Sequence, residues 1–188
     1  MKALLCMMMA ACAVGAIEQP AATPDLPAAA AAAQAPVQQA LRALRYVSDT
    51  TPRPDARYYI YLQSAKWCSP CRAEMPRIVQ AYSAMQAAGV EPVLVSHDAT
   101  AEAALDYITT YKVPFAGTHM SDPGLEKLPG FVLAKSIPHI TIVNADGHVV
   151  FSGHGAAAQH WQDILAEYEA RLEQGEKAPR LSPADVEL

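Results

Sequence analysis

No segment of this sequence is basic enough to hold a nucleic acid. Its 188 residues carry 14 Lys and Arg against 19 Asp and Glu, a formal charge of -5, and the cations never gather into a block. The apolar run from Ala3 to Ala13 is too short to span a bilayer by the ~20-residue criterion. Cysteine is scarce, with only Cys6, Cys12, Cys68 and Cys71. A zinc site commonly draws four ligands from two C-x-x-C pairs or from added histidines, and no second pair survives removal of the N-terminal leader. No Pro-x-x-x-Thr-x-x-Cys segment surrounds Cys68, which argues against a thiol peroxidase. What is present is a hydrophobic fraction of 52%, enough for one domain with a real core plus extra segments.

Residues 1–16 read as an export signal. Lys2 supplies the positive start, Ala3 to Ala13 the apolar centre, and Val14-Gly15-Ala16 the small-residue cleavage pattern. Met9-Ala10-Ala11-Cys12 offers an alternative, a lipoprotein-like box in which Cys12 would carry a lipid anchor. Either way the expected location is outside the cytoplasm, in a periplasm. Residues 17–36 hold Pro20, Pro24, Pro27, Pro36 and a run of alanines, a composition that cannot bury a face, and predict a flexible tether.

Trp67-Cys68-Ser69-Pro70-Cys71 organises the rest. It lies between an apolar run, Tyr58 to Leu62, and a helix-favouring segment beginning at Arg72. A helix N-terminus has unpaired N–H groups and a partial positive charge, and both favour a thiolate over a thiol. A helix-end interaction of about 2 kcal/mol lowers a pKa by about 1.5 units, which brings Cys68 close to neutrality. Cys71 follows by about one turn, so its sulfur can reach Cys68 and close a disulfide. A purely structural bridge across so short a loop would stabilise by less than the ~3 kcal/mol of a 15-residue loop, which makes stability a poor reason for it.

Along the chain, Val37 to Val47 shows helical spacing, broken at Thr51-Pro52-Arg53-Pro54. Tyr58 to Leu62 predicts a central strand covered on both faces. The helix after Cys71 carries Met75, Ile78, Val79, Tyr82 and Met85 on one stripe, contains Pro76, and ends near Gly89. Val90 to His97 is the next buried strand, with His97-Asp98 capping the helix that follows. That helix, Thr100 to Tyr111, turns Ala104, Leu105, Ile108 and Tyr111 inward. Residues 112–136 are punctuated by Pro and Gly and predict an irregular connection with a short helix around Pro123 to Leu128. Ile140 to Val143 and His148 to Phe151 read as a hairpin turning at Asn144-Ala145-Asp146-Gly147 and ended by Gly153 and Gly155. Ala157 to Gln174 is a terminal helix with Trp161, Ile164, Leu165, Tyr168 and Leu172 buried. Residues 37–174 thus form the domain, and 175–188 a loose polar tail.

The order βαβα-ββα, with a mixed sheet and helices on both faces, resembles the thioredoxin superfamily over about Arg57 to Leu172. The resemblance rests on Trp67-Cys68-Ser69-Pro70-Cys71 after a strand, Pro76 in the helix, Ile137-Pro138 entering the hairpin, and Asp146-Gly147 at its turn. Val95-Ser96-His97-Asp98 and Tyr111-Lys112-Val113-Pro114-Phe115 are similar to the exported TlpA-like proteins and to the tryparedoxin group. The resemblance implies a thiol–disulfide oxidoreductase, with Cys68 attacking and Cys71 resolving a mixed disulfide. It implies a cis Pro138 against the disulfide, with Ile137 pairing to an extended substrate segment and Trp67 adding apolar contact. One position departs from it. Where thioredoxins commonly carry a buried acid on the strand, this chain has Leu62, which leaves His139 or Glu74 as candidate proton acceptors for Cys71.

Pro70 beside the second cysteine resembles the reducing thioredoxins, and that resemblance implies a reductant of protein disulfides, a monomer served by an unidentified redox partner, with no cofactor and no resident metal. The alternative is a copper-handling or redox-inert binding module of the same fold. For copper, His139, His148, His154 and His160 are available, but they scatter over a hairpin and a helix.

Overall fold

The computed structural model describes residues 35–186. The leader, Cys6, Cys12 and the tether up to residue 34 lie outside the described residues. Five strands, β1 (Tyr58–Ser64), β2 (Val90–Ser96), β3 (Gly117–His119), β4 (His139–Asn144) and β5 (Val149–His154), form one sheet in the order β3-β2-β1-β4-β5. The β1–β2 and β2–β3 pairs are parallel, while β4 is antiparallel to both β1 and β5. Among the described residues four α-helices accompany it: α1 (Pro36–Arg42), α2 (Ser69–Ala87), α3 (Ala101–Tyr111) and α4 (Trp161–Glu173).

Every residue of β1 and β2 is buried, as a continuous apolar run at the centre of a sheet requires. Alternate residues of β1 enter different cores. Tyr58, Ile60 and Leu62 pack with Met75, Ile78 and Met85 of α2, with Tyr107 and Ile108 of α3, and with Trp161 and Ile164 of α4. Tyr59 and Tyr61 pack with Val37 and Leu41 of α1 and with Leu125 and Leu128. The thioredoxin-type sheet with helices on both faces is therefore present. Gly89, with φ of +73°, lets the chain leave α2 and enter β2 at once.

Several local expectations are corrected. β3 adds a strand inside the connection expected to be irregular. Its three residues carry no strand pattern of their own and are strand only because β2 offers partners from Leu94 to Ser96. The helix expected over Val37 to Val47 stops at Arg42. Beyond it the chain is drawn out against β3, where Tyr46 pairs with Thr118 and Val47 N–H bonds the Gly117 carbonyl at 2.9 Å. On α3 the buried residues are Ala104, Tyr107 and Ile108, and Leu105 is 43% exposed. The i, i+3, i+4 stripe leaves a residue one step off it in solvent. Leu172 keeps the stripe spacing, four residues past Tyr168, but sits in the last turn of α4 and is 40% exposed. The stretch expected as the first turn of the terminal helix is a 3-10 helix, Gly155–His160, ahead of α4.

The tail is not loose up to residue 186. Leu181 is buried, its N–H donates to the Val150 carbonyl at 2.8 Å, and it bridges Phe151. Asp185 accepts from Ser182 and Arg171, which together hold its carboxyl well below the usual carboxylate range.

Candidate redox site

α2 begins at Ser69, three residues earlier than expected, and Cys68 is its N-cap. The first turn of any helix leaves N–H groups without partners. Pro70 has none to leave, and Cys71 N–H points at Cys68 Sγ, 3.3 Å away. Cys68 and Cys71 are joined as a disulfide with their Cα atoms 5.2 Å apart. Cys68 is 5% exposed and Cys71 1%, so the outer sulfur is the one a partner can reach. When the pair is reduced, the amide that faces Cys68 Sγ favours its thiolate.

The turn that presents these cysteines is tied down by groups distant in sequence. Buried Asp98 accepts Lys66 N–H at 3.0 and 3.2 Å and the Ser96 hydroxyl at 2.8 Å. It therefore anchors the cysteine turn and does not cap α3, whose N-cap is Thr100. Arg72 donates to the Lys66 and Trp67 carbonyls at 2.9 and 3.1 Å. The Trp67 indole N–H donates to the His97 carbonyl at 3.1 Å, yet the residue stays 64% exposed. Beneath the helix start, the Ser64 and Tyr107 hydroxyls lie 2.8 Å apart, and the Tyr107 hydroxyl donates to the Cys71 carbonyl at 3.4 Å. Burial pushes the Tyr107 pKa up to about 12, so the phenol stays neutral.

From the other side comes the entry to β4. The Ile137–Pro138 peptide is cis, and the Ile137 carbonyl oxygen lies 3.7 Å from Cys68 Sγ. Ile137 packs on Ala65, Cys68 and Cys71. Gly155 donates its N–H to the Pro138 carbonyl at 2.9 Å, and a Cβ there would overlap the Pro138 ring. A glycine at this position allows the backbone to seat against the proline.

Trp67, Cys68, Cys71, Ile137 and Pro138 thus meet in one place. His139 and Glu74 do not join them. His139 Nε2 lies 3.0 Å from the Ser152 hydroxyl, and burial together with nearby His154 lowers its pKa. On β4, His139 lies on the side opposite Ile140 and Ile142, whose side chains pack with α2. Glu74 accepts from Gln159 and pairs with Arg77 on the helix surface. Among the described residues neither side chain hydrogen-bonds a cysteine. Of the histidines considered for metal, His139 and His154 are cross-strand partners, while His160 sits 3.7 Å from Asp163. No three ligand-type side chains converge among the described residues.

Sequence reasoning missed Ser64 and Tyr107 and assigned Asp98 to the cap of α3. Ser64 carried a signal, a hydroxyl closing the strand just before the cysteine turn.

A cysteine pair whose first member caps a helix beside a cis X–Pro peptide, carried on this sheet, is a thioredoxin-type site. Residues 55–149 match the model of the thioredoxin-like family, and the chain belongs to that family. A curated relative, the thiol-disulfide oxidoreductase ResA of Oceanobacillus iheyensis, is 40% identical over 55 residues, 29% of this chain and 29% of the relative. The match thus spans less than a third of that protein's length. A thioredoxin from Wuchereria bancrofti shares the fold with a TM-score of 0.50 and 22% identity, over 64% of this chain and 83% of its own. Tryparedoxin II from C. fasciculata aligns at 30% identity with a TM-score of 0.46, over 61% of this chain and 76% of its own.

Proposed function

We propose that this chain is an exported thiol–disulfide oxidoreductase that reduces disulfides in protein substrates. The observation that carries the reading is Cys68 as the cap of α2, its sulfur facing the Cys71 amide on one side and the Ile137 carbonyl on the other. In the reduced state the Cys68 thiolate attacks a substrate disulfide, forms a mixed disulfide, and expels one substrate thiolate. The Cys71 thiolate then attacks Cys68 Sγ, the second substrate thiolate leaves, and the Cys68–Cys71 disulfide remains. Two electrons pass from the dithiol to the substrate, and an external dithiol partner restores the reduced pair. Ile137 offers backbone to an extended substrate segment, and Trp67 offers an exposed apolar surface.

The same reading takes residues 1–16 as the export signal, with Cys12 as the alternative lipid-anchored start, and the stretch from residue 17 up to α1 as a tether for a monomeric domain. Insulin reduction by dithiothreitol tests the activity. The native chain should accelerate it, and Cys68→Ser should abolish the acceleration. Equal, negligible rates for the two would reject the enzyme reading. A midpoint potential near about -120 mV, the strongly oxidising end for this chemistry, would reject the direction.

A further inference from the structure

Lys66, two residues before Cys68, has its backbone gripped by two charges of opposite sign. Its N–H points at the Asp98 carboxylate, 3.0 Å from Oδ1 and 3.2 Å from Oδ2. Its carbonyl accepts from Arg72 Nη1 at 2.9 Å, and the same nitrogen reaches the Trp67 carbonyl at 3.1 Å. Among the described residues no cationic side chain pairs with Asp98, and no carboxylate pairs with Arg72.

Asp98 is buried. The Ser96 hydroxyl accepts the Asp98 N–H at 3.1 Å and gives its own hydrogen to Oδ2 at 2.8 Å. Both carboxyl oxygens therefore meet only donors, the surroundings of an ionised carboxylate. A buried charge without a counterion is costly, and a neutral Asn or Ser would accept a single N–H at less expense. Anchoring the turn thus accounts for the hydrogen bonds at Asp98 but not for its charge. Other charged groups near the turn are engaged elsewhere. Lys66 Nζ lies 2.6 Å from Asp106, Glu74 pairs with Arg77, and His97 Nε2 lies 3.0 Å from Gln63 Oε1. His119 Nε2 lies 2.8 Å from the Asp98 carbonyl, His139 turns to Ser152, and Lys135 stands in solvent.

We propose that Asp98 and Arg72 are positioning residues whose opposed charges, held on the cysteine turn, set how readily Cys68 ionises and how strongly the pair reduces. The proposal rests on the thiol–disulfide reading and deepens it. Two residues of chain span at most about 7 Å. At about 10 Å and an effective dielectric of ~20, one unit charge moves a neighbouring pKa by about one unit. Asp98 opposes the thiolate that the helix end and the Cys71 N–H favour, and Arg72 supports it. Arg72 is the less buried of the two, so solvent screens it more and Asp98 has the larger effect. A less stable thiolate weakens the dithiol relative to the disulfide, so the pair gives up its two electrons more readily. Neither side chain hydrogen-bonds a sulfur among the described residues. Their effect passes through the field across the turn.

The test alkylates the reduced chain with iodoacetamide across a pH series, which reports Cys68 because Cys71 is buried, and equilibrates the pair with glutathione. Asp98→Asn keeps an acceptor for the Lys66 N–H but not the charge. It should lower the alkylation midpoint by about one pH unit and move the glutathione equilibrium towards the dithiol by up to about tenfold. Arg72→Gln should raise the midpoint by about half a unit and favour the disulfide. Arg72→Lys, which keeps the charge without the two-carbonyl grip, should titrate like the native chain. A purely mechanical role loosens the same turn in both neutral variants and moves both midpoints the same way. The proposal is overturned by that result, by a folded neutral variant whose midpoint stays native, or by Arg72→Lys titrating like Arg72→Gln. Should Asp98→Asn fail to fold, Arg72→Gln decides alone, and a midpoint that does not rise overturns the proposal. A native chain that fails to accelerate insulin reduction removes the oxidoreductase reading, and this proposal with it. An active native chain with unmoved midpoints removes only the proposal.

Discussion

The two faces of β1 do different work. On one, Tyr58, Ile60 and Leu62 build an apolar core against α2, α3 and α4, and the polar tips there, the Tyr58 hydroxyl on Glu169 and the Ser64 hydroxyl by Tyr107, meet side chains of helices. On the other, each side chain ends in a polar tip that meets irregular backbone. Tyr59 donates to the Arg53 carbonyl at 3.3 Å, Tyr61 to the Pro129 carbonyl at 3.0 Å, and Gln63 holds Val132 and Ala134. Helices satisfy their own backbone and need only apolar contact to be placed. A connection without regular structure must find partners for its N–H and C=O groups. The same strand thus sets the cysteine helix by packing and the loop before Pro138 by hydrogen bonds.

That contrast can be broken by substitution. Ile60→Ala opens the helix-side core and should cost ~2–5 kcal/mol in denaturant unfolding, lowering the stability of the whole domain. Tyr107→Phe strips the hydroxyl shared by Ser64 and the Cys71 carbonyl. Leaving the buried Ser64 without its partner should cost about 1–3 kcal/mol in the same measurement. Tyr61→Phe removes one bond to the connection and should cost about 1 kcal/mol, with amide exchange quickening over residues 130–134 before it quickens in the sheet. If Tyr61→Phe destabilises as much as Ile60→Ala, or quickens exchange everywhere alike, the two faces are not distinct.

Elements that carry their own pattern were legible in the sequence. The run Tyr58 to Leu62 has no polar alternation and could only be a strand covered twice. The stripe from Met75 to Met85 could only be a helix on a core. The cysteine pair at one-turn spacing, with Ile137-Pro138 before a hairpin, was enough to place the site. What escaped depends on partners far along the chain. Gly117 to His119 becomes strand because β2 lies beside it. Asp98 reads as a helix cap until Lys66, 32 residues away, is seen to take it. His139 stands next to Pro138 in sequence and so seemed close to Cys71, but a strand sends neighbours to opposite sides. Tyr107 and Leu105 lie two positions apart on one helix, and only the seating of α3 decides which is covered.

The docking of Leu181 on Val150 and Phe151 has a further consequence. β5 is the outermost strand of the sheet, and an open border there would offer unpaired backbone to any extended polypeptide. Leu181 takes the Val150 carbonyl, so an extended segment adding at β5 would first have to displace the residues around Leu181.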